Sequence, residues 1–170
     1  MTPSEFKSRF IELLPAVPAD LDLQLDRFVT YPHQRVAALQ LPDDHKAFLA
    51  ESGFPADAAP FLNFDCGDHL LTVLDDFPDS FMIGSNNYGD PICVDLADSG
   101  TVVYYNHDNH MKRVFINSSL PLFAESLCAF SQLMRTKDAD TFINHLKSLD
   151  PAATEPDTFW PTEAEGVTEN

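Results

Sequence analysis

The sequence predicts an α+β fold: an antiparallel meander sheet of about five to six strands with helices packed on one face. Three observations carry this. Helical periodicity is confined to the two ends of the 170-residue chain, short apolar runs at strand spacing fill its middle, and the connections between those runs are too short for crossover helices. A content of 44% hydrophobic residues, fourteen of them Phe, supplies a core despite a net charge of −17.

Thr2, Pro3 and Glu5 stand as N-cap, first-turn proline and reciprocal capping acid, and Phe6, Phe10, Leu13 and Leu14 follow at helical spacing until Pro15. Residues 15–40 predict a helical turn around Leu21 to Phe28 and a break at Tyr31-Pro32. Pro42 opens a helix that turns Phe48 and Leu49 inward and ends at Gly53 as a left-handed cap, with Phe54 folding back and Pro55 forbidding continuation. Strands are predicted at 61–64, 70–74, 81–83, 91–96, 102–106 and 114–117. Links such as Ala97-Asp98-Ser99-Gly100 make their strands antiparallel neighbours. Ser119 caps a helix with Pro121 in its first turn and Leu120, Phe123, Leu127, Phe130 and Met134 as one apolar stripe. A last helix runs from Asp138 to Leu149, burying Phe142, Leu146 and Leu149, and Asp150-Pro151 ends it. The expected organisation is one domain over residues 1–150 and an acidic tail over 151–170, extended and pinned only at Phe159 and Trp160.

Charge is segregated along the chain. Between Lys46 and Lys112 there is no Lys or Arg, while eleven acids fall there: Glu51, Asp57, Asp65, Asp68, Asp75, Asp76, Asp79, Asp90, Asp95, Asp98 and Asp108. Such a field raises encounter rates with cationic partners and repels phosphate backbones, so a basic protein partner is expected and direct nucleic-acid binding is not. Solubility alone would also account for an acidic surface. The N-terminus lacks a basic stretch followed by an apolar run, and no 18-residue apolar segment occurs, so a cytoplasmic location without membrane contact is expected. Cys66, Cys93 and Cys128 are odd in number and widely spaced, which fits small core residues better than a disulfide framework or zinc knuckle.

The central FMIGSNNYGDPICVDL segment (81–96) reads as a strand, a polar loop holding Gly84 and Gly89, and a strand. It has no G-x-x-x-x-G-K-[ST], no following helix to take a phosphate, and Asp90 would repel one. Asn86, Asn87 and Tyr88 at its tip are the contact candidates, since an exposed Tyr offers large area at low entropy cost. Ser85 lacks a G-x-S-x-G context because Asn87 stands where the second glycine would be, and no cysteine neighbours a His. His107, Asp108 and His110 form an H-D-x-H cluster that would suit a metal on a helix, but the stretch follows a strand. The pairs Asp75 with Asp76 and Asp65 with Asp68 lack a glycine-punctuated calcium loop.

LPDDHKAFLAESGFP (41–55), IGSNNYGDPICVDL (83–96), VVYYNHD (102–108) and VFINSSLPLFAESLCAF (114–130), in that order, resemble the SUKH superfamily, also called the SMI1/KNR4 family. The most specific piece combines Ile83-Gly84-Ser85, Gly89-Asp90 and Asp95, then a hairpin and a Ser-capped helix. Phe159 to Glu163, FWPTE, is similar to the C-terminal end of the SUKH-4 type. The chain departs from the common pattern in carrying Asn86, Asn87 and Tyr88 where many relatives have glycines, and in placing its one Trp near the end.

The resemblance implies a non-enzymatic SMI1/KNR4-like domain without cofactor or metal, acting as an immunity protein that neutralises a cognate toxin of a polymorphic toxin system by stoichiometric binding. A nuclease-type toxin, basic at its substrate surface, would complement the acidic block. Asp68, Asp75, Asp76, Asp79, Tyr88 and Asp90 are the expected partner-binding residues. A regulatory scaffold of the kind found among fungal members, and a small metal-dependent hydrolase using His107, Asp108 and His110, are the alternatives.

Overall fold

The computed structural model describes residues 1–18 and 20–168. Capping chemistry starts α1 (Pro3–Leu13): Thr2 Oγ1 accepts from the Glu5 N–H, the Thr2 N–H donates to Glu5 Oε2 at 2.7 Å, and Phe6 and Phe10 face the core. Residues 21–28 form no helix. Instead β1 (Phe28–Val29) pairs antiparallel with β2 (Phe54–Pro55), and a helix absent from the sequence reading, α2 (His33–Ala38), begins just after Pro32. Residue 19, within this stretch, lies outside the described residues.

The helix expected from Pro42 is divided. α3 (Asp43–Ala47) gives way to a π turn over Phe48–Ser52, closed by the Gly53 N–H donating to the Phe48 carbonyl at 2.7 Å. Gly53 has φ 63° and ψ −153°, a region open in practice only to glycine. A Cβ there would sit 1.8 Å from the Val29 carbonyl oxygen, so this glycine also lets β1 lie against the turn.

The main sheet has seven strands, all pairs antiparallel: β3 (Asp57–Ala58), β4 (Leu62–Asn63), β5 (Val73–Leu74), β6 (Phe77–Asn86), β7 (Pro91–Asp95), β8 (Thr101–Asn106) and β9 (Lys112–Asn117). β6 to β9 form the expected meander. β4 and β5 share the other edge of β6, the first pairing at Ser85 and Asn86 and the second at Phe77 and Phe81. Gly84 lies inside β6 rather than in a loop. A register shift falls between it and Met82, and an added Cβ would come 2.8 Å from the Asn63 carbonyl and from the Phe64 ring.

Alternation sorts the strands into two faces. Ile83, Ile92, Val94, Val102 and Ile116 join the principal core beneath the helices, while Cys93, Val103 and Tyr105 form a small outer cluster with Leu74, Phe77, Met82 and Met111. The β5–β6 hairpin bends across this outer face, where Phe77 stacks on Tyr105 at 4.1 Å and Ser80 hydrogen-bonds its hydroxyl at 2.6 Å.

The core face is closed by α4 (Leu120–Thr136), capped by Ser119, and α5 (Ala139–Leu149), capped by Asp138. Leu133 is buried in α4, whereas Met134 is exposed, so the stripe turns one position earlier than its spacing suggested; Leu149 is half-buried. The end of the chain departs furthest from expectation. Residues 151–154 form a 3-10 turn and α6 (Phe159–Thr168) packs on α4, α5 and β9. Residues 169 and 170 lie outside the described residues.

Trp160 is fully buried among Phe123, Phe130, Phe142 and Phe159. Its Nε1–H donates to Asn117 Oδ1 at 2.9 Å, and Asn117 Nδ2 in turn donates to Ser126 Oγ and to buried Asp150. The aromatic pair expected to pin the segment does dock, and it joins the core because a satisfied indole N–H makes full burial of the ring favourable; the segment around it is helical rather than extended. Among the described residues no helix is long and apolar enough to cross a membrane.

Candidate functional site

Two surfaces collect the residues singled out from sequence. The first is the approach to, and the near half of, the β5–β6 hairpin. Asp68 sits on a single 3-10 turn (Gly67–His69), Asp75 and Asp76 are the two-residue link between β5 and β6, and Asp79 lies on β6. All four are exposed, and among the described residues none forms an ion pair.

Their neighbours in the acidic block are treated differently. Asp65 pairs with Arg27 at 2.7 Å, and Arg113 reaches back from β9 to Asp95 at 3.0 Å and Asp98 at 2.8 Å. The segment 68–79 thus keeps its charge, while Asp65, Asp95 and Asp98 are partly compensated by cations from outside the block.

The second surface is the opposite end of the sheet, where the β6–β7 turn meets the β8–β9 turn. Tyr88 projects from the first turn and is 77% exposed. Asp90 does not share that surface. It is 3% exposed, so a partner cannot reach its carboxylate, and the expectation of a direct contact is corrected: Oδ2 accepts from Asn86 Nδ2 at 2.9 Å, and Oδ1 accepts from the His107 backbone N–H at 2.9 Å and meets His107 Nδ1 at 2.6 Å. A buried carboxylate needs such donors. Burial pushes the Asp90 carboxyl up, but the hydrogen bonds from His107 and Asn86 outweigh it and hold the group below its ordinary value. The same hydrogen bond, with help from Asp108, raises His107.

His107 is thereby engaged on both sides, its Nε2 lying 3.3 Å from Asp108, and His110 occupies a left-handed turn position. Among the described residues no group of three His, Cys, Asp or Glu side chains is arranged to hold a metal. Burial pushes the Cys93 thiol up to about 12 and Cys128 to about 11, so both stay protonated, and Cys66 is half-buried with its thiol also raised.

One residue escaped the sequence reading. Phe61, expected as a strand residue, is 76% exposed with φ 58°. The signal was present: period-two alternation that buries Leu62 and Phe64 puts Phe61 and Asn63 on the other side. Because Leu62 is the register partner of Asn86, Phe61 stands next to the turn that carries Tyr88.

Residues 15–166 match the family model described as SUKH-4 immunity protein. No curated protein matches the chain, and no solved structure does. The match runs from ahead of β1 through most of α6, taking in the whole sheet, both exposed surfaces and the buried Trp160 node, and on that extent the chain belongs to the SUKH-4 immunity protein family.

Proposed function

We propose that this chain binds a cognate toxin with a basic surface, of nuclease type, and neutralises it by stoichiometric occlusion in the cytoplasm, without catalysis. Membership of an immunity-protein family supports the role. The observation that carries the cationic partner is the exposed, uncompensated charge of Asp68, Asp75, Asp76 and Asp79, within a stretch that holds no Lys or Arg from residue 47 to 111. Such a patch steers a cationic surface into contact and disfavours anionic ones.

The test is binding of the inactivated toxin domain encoded by the neighbouring gene, followed by stopped-flow kinetics across salt concentrations. The wild type forms a one-to-one complex whose association slows as salt rises. Reversing Asp75, Asp76 and Asp79 to Lys lowers the association rate by on the order of 10-fold or more at low salt and flattens the salt dependence. No complex at low salt refutes the toxin reading; unchanged kinetics in the triple variant remove the hairpin from it.

A further inference from the structure

We propose that Phe61 and Tyr88 are the anchoring pair of this interface, taking guanidinium or ammonium side chains of the cationic partner on their ring faces, and that buried Asp90 is the positioning residue that presents Tyr88, a role that rests on the toxin-binding reading above. Both rings are about three-quarters exposed, and among the described residues neither contacts another ring or a cation. Two large aromatics left in water on neighbouring turns, Phe61 in a backbone region disfavoured for a bulky side chain, have no internal packing role.

The Tyr88 turn is fixed before any partner arrives. Asn86 Oδ1 accepts from the N–H groups of Tyr88 and Asp90, each at 3.0 Å, while the Asn86 N–H donates to the Asp90 carbonyl at 3.0 Å. Asp90 then locks Asn86 through its amide and ties the whole turn to the β8–β9 turn through His107. A turn held this way loses little conformational freedom on binding, which is what an anchor residue requires.

Charge selects the occupant. Exposed Asp57 on β3 and Asp108 on the β8–β9 turn flank the two rings, while Asp65 is already paired with Arg27 and, among the described residues, the unpaired Lys or Arg nearest Tyr88 in sequence is Lys112 at the start of β9, so exposed carboxylates near the rings favour a cationic group. A second copy of this chain, at −17, would be repelled.

The experiment measures dissociation of the inactivated toxin domain of the neighbouring gene from Phe61→Ala, Tyr88→Ala, Tyr88→Phe, Asp90→Ala and the Tyr88→Ala/Asp90→Ala pair, each first checked for an unchanged far-ultraviolet spectrum. Phe61→Ala and Tyr88→Ala each weaken binding by roughly 30-fold through faster dissociation, and Tyr88→Phe, which keeps the ring face, restores it to within about 3-fold. Asp90 acting through Tyr88 makes the double variant no weaker than Tyr88→Ala alone, whereas an independent structural role makes the losses multiply. A toxin complex that forms with wild-type affinity in both alanine variants overturns the anchor while leaving the toxin reading intact. Losses confined to association overturn it too, and the absence of any wild-type complex overturns both.

Discussion

Replacing Gly53 by Ala tests the packing of the N-terminal segment against the body of the protein. The new Cβ would lie 1.8 Å from the Val29 carbonyl oxygen, 2.5 Å from its carbon and 2.9 Å from Thr30 Cα, all backbone atoms that no rotamer change can move. The backbone at φ 63° and ψ −153° adds about 1–3 kcal/mol for any residue with a side chain. Relief requires β1 to withdraw from β2, which endangers the bonds from the Ala56 N–H to the Arg27 carbonyl at 2.8 Å and from the Tyr31 N–H to the Leu49 carbonyl at 3.0 Å. At about 1 kcal/mol each these bring the total to roughly 3–5 kcal/mol, a large part of an ordinary domain's stability. Urea denaturation at pH 7.5 followed by tryptophan fluorescence, which reports on buried Trp160, measures the loss, and melting should fall by about 10–15 °C. A loss below about 1 kcal/mol would refute the close approach of Val29 to the glycine and with it the β1–β2 pairing.

Trp160→Phe keeps most of the ring but leaves Asn117 Oδ1 without its donor in a dry site, and should cost about 2–3 kcal/mol in thermal unfolding; a loss under about 0.5 kcal/mol would mean the indole bond contributes nothing. His45, 4% exposed beneath the Gly100 turn, has an Nδ1 without a hydrogen-bond partner, and burial lowers its pKa below the ordinary 6.5 against a weaker opposing pull from Asp44. Its folded form resists a proton that the unfolded chain accepts, so its contribution is complete above about pH 6.5 and is lost as pH falls below it. Wild type should therefore lose more urea stability than His45→Leu between pH 7.5 and 5.5, and parallel losses would assign the pH dependence elsewhere.

What could be read from sequence was chemistry closed within a few residues. The Thr2–Glu5 capping box, the Ser119 cap and the positive φ of Gly53 each depend on neighbours within one turn, and each is in place. What escaped depends on distant partners. Acid-rich residues 151–168 read as a solvated tail because the group that satisfies Trp160 is Asn117, 43 positions earlier in the chain. Asp90 in a Gly-Asp turn is indistinguishable from a surface acid until His107, 17 positions later, folds over it. The π turn at Phe48–Ser52 shows the same limit, since a continuous helix satisfies the local pattern equally well.

The placement of the two exposed surfaces constrains how one partner could use both. The acidic link Asp75-Asp76 and the Tyr88 turn lie at opposite ends of β6, whose ten residues span roughly 30 Å, somewhat less where the hairpin bends. That exceeds the screening length of about 8 Å at physiological salt several times over, so carboxylates at one end exert little pull on a partner confined to the other. A standard interface of about 800 Å² per partner is itself some 30 Å across. Steering by the hairpin and anchoring at the aromatic turn are therefore compatible only in a footprint running the length of β6 over the outer face of the sheet, where Phe77, Met82 and Met111 remain half-buried and open to further covering. An apolar strip between an acidic end and an aromatic end has the layout expected of such a footprint, with desolvated contacts at the centre and charge at the margin.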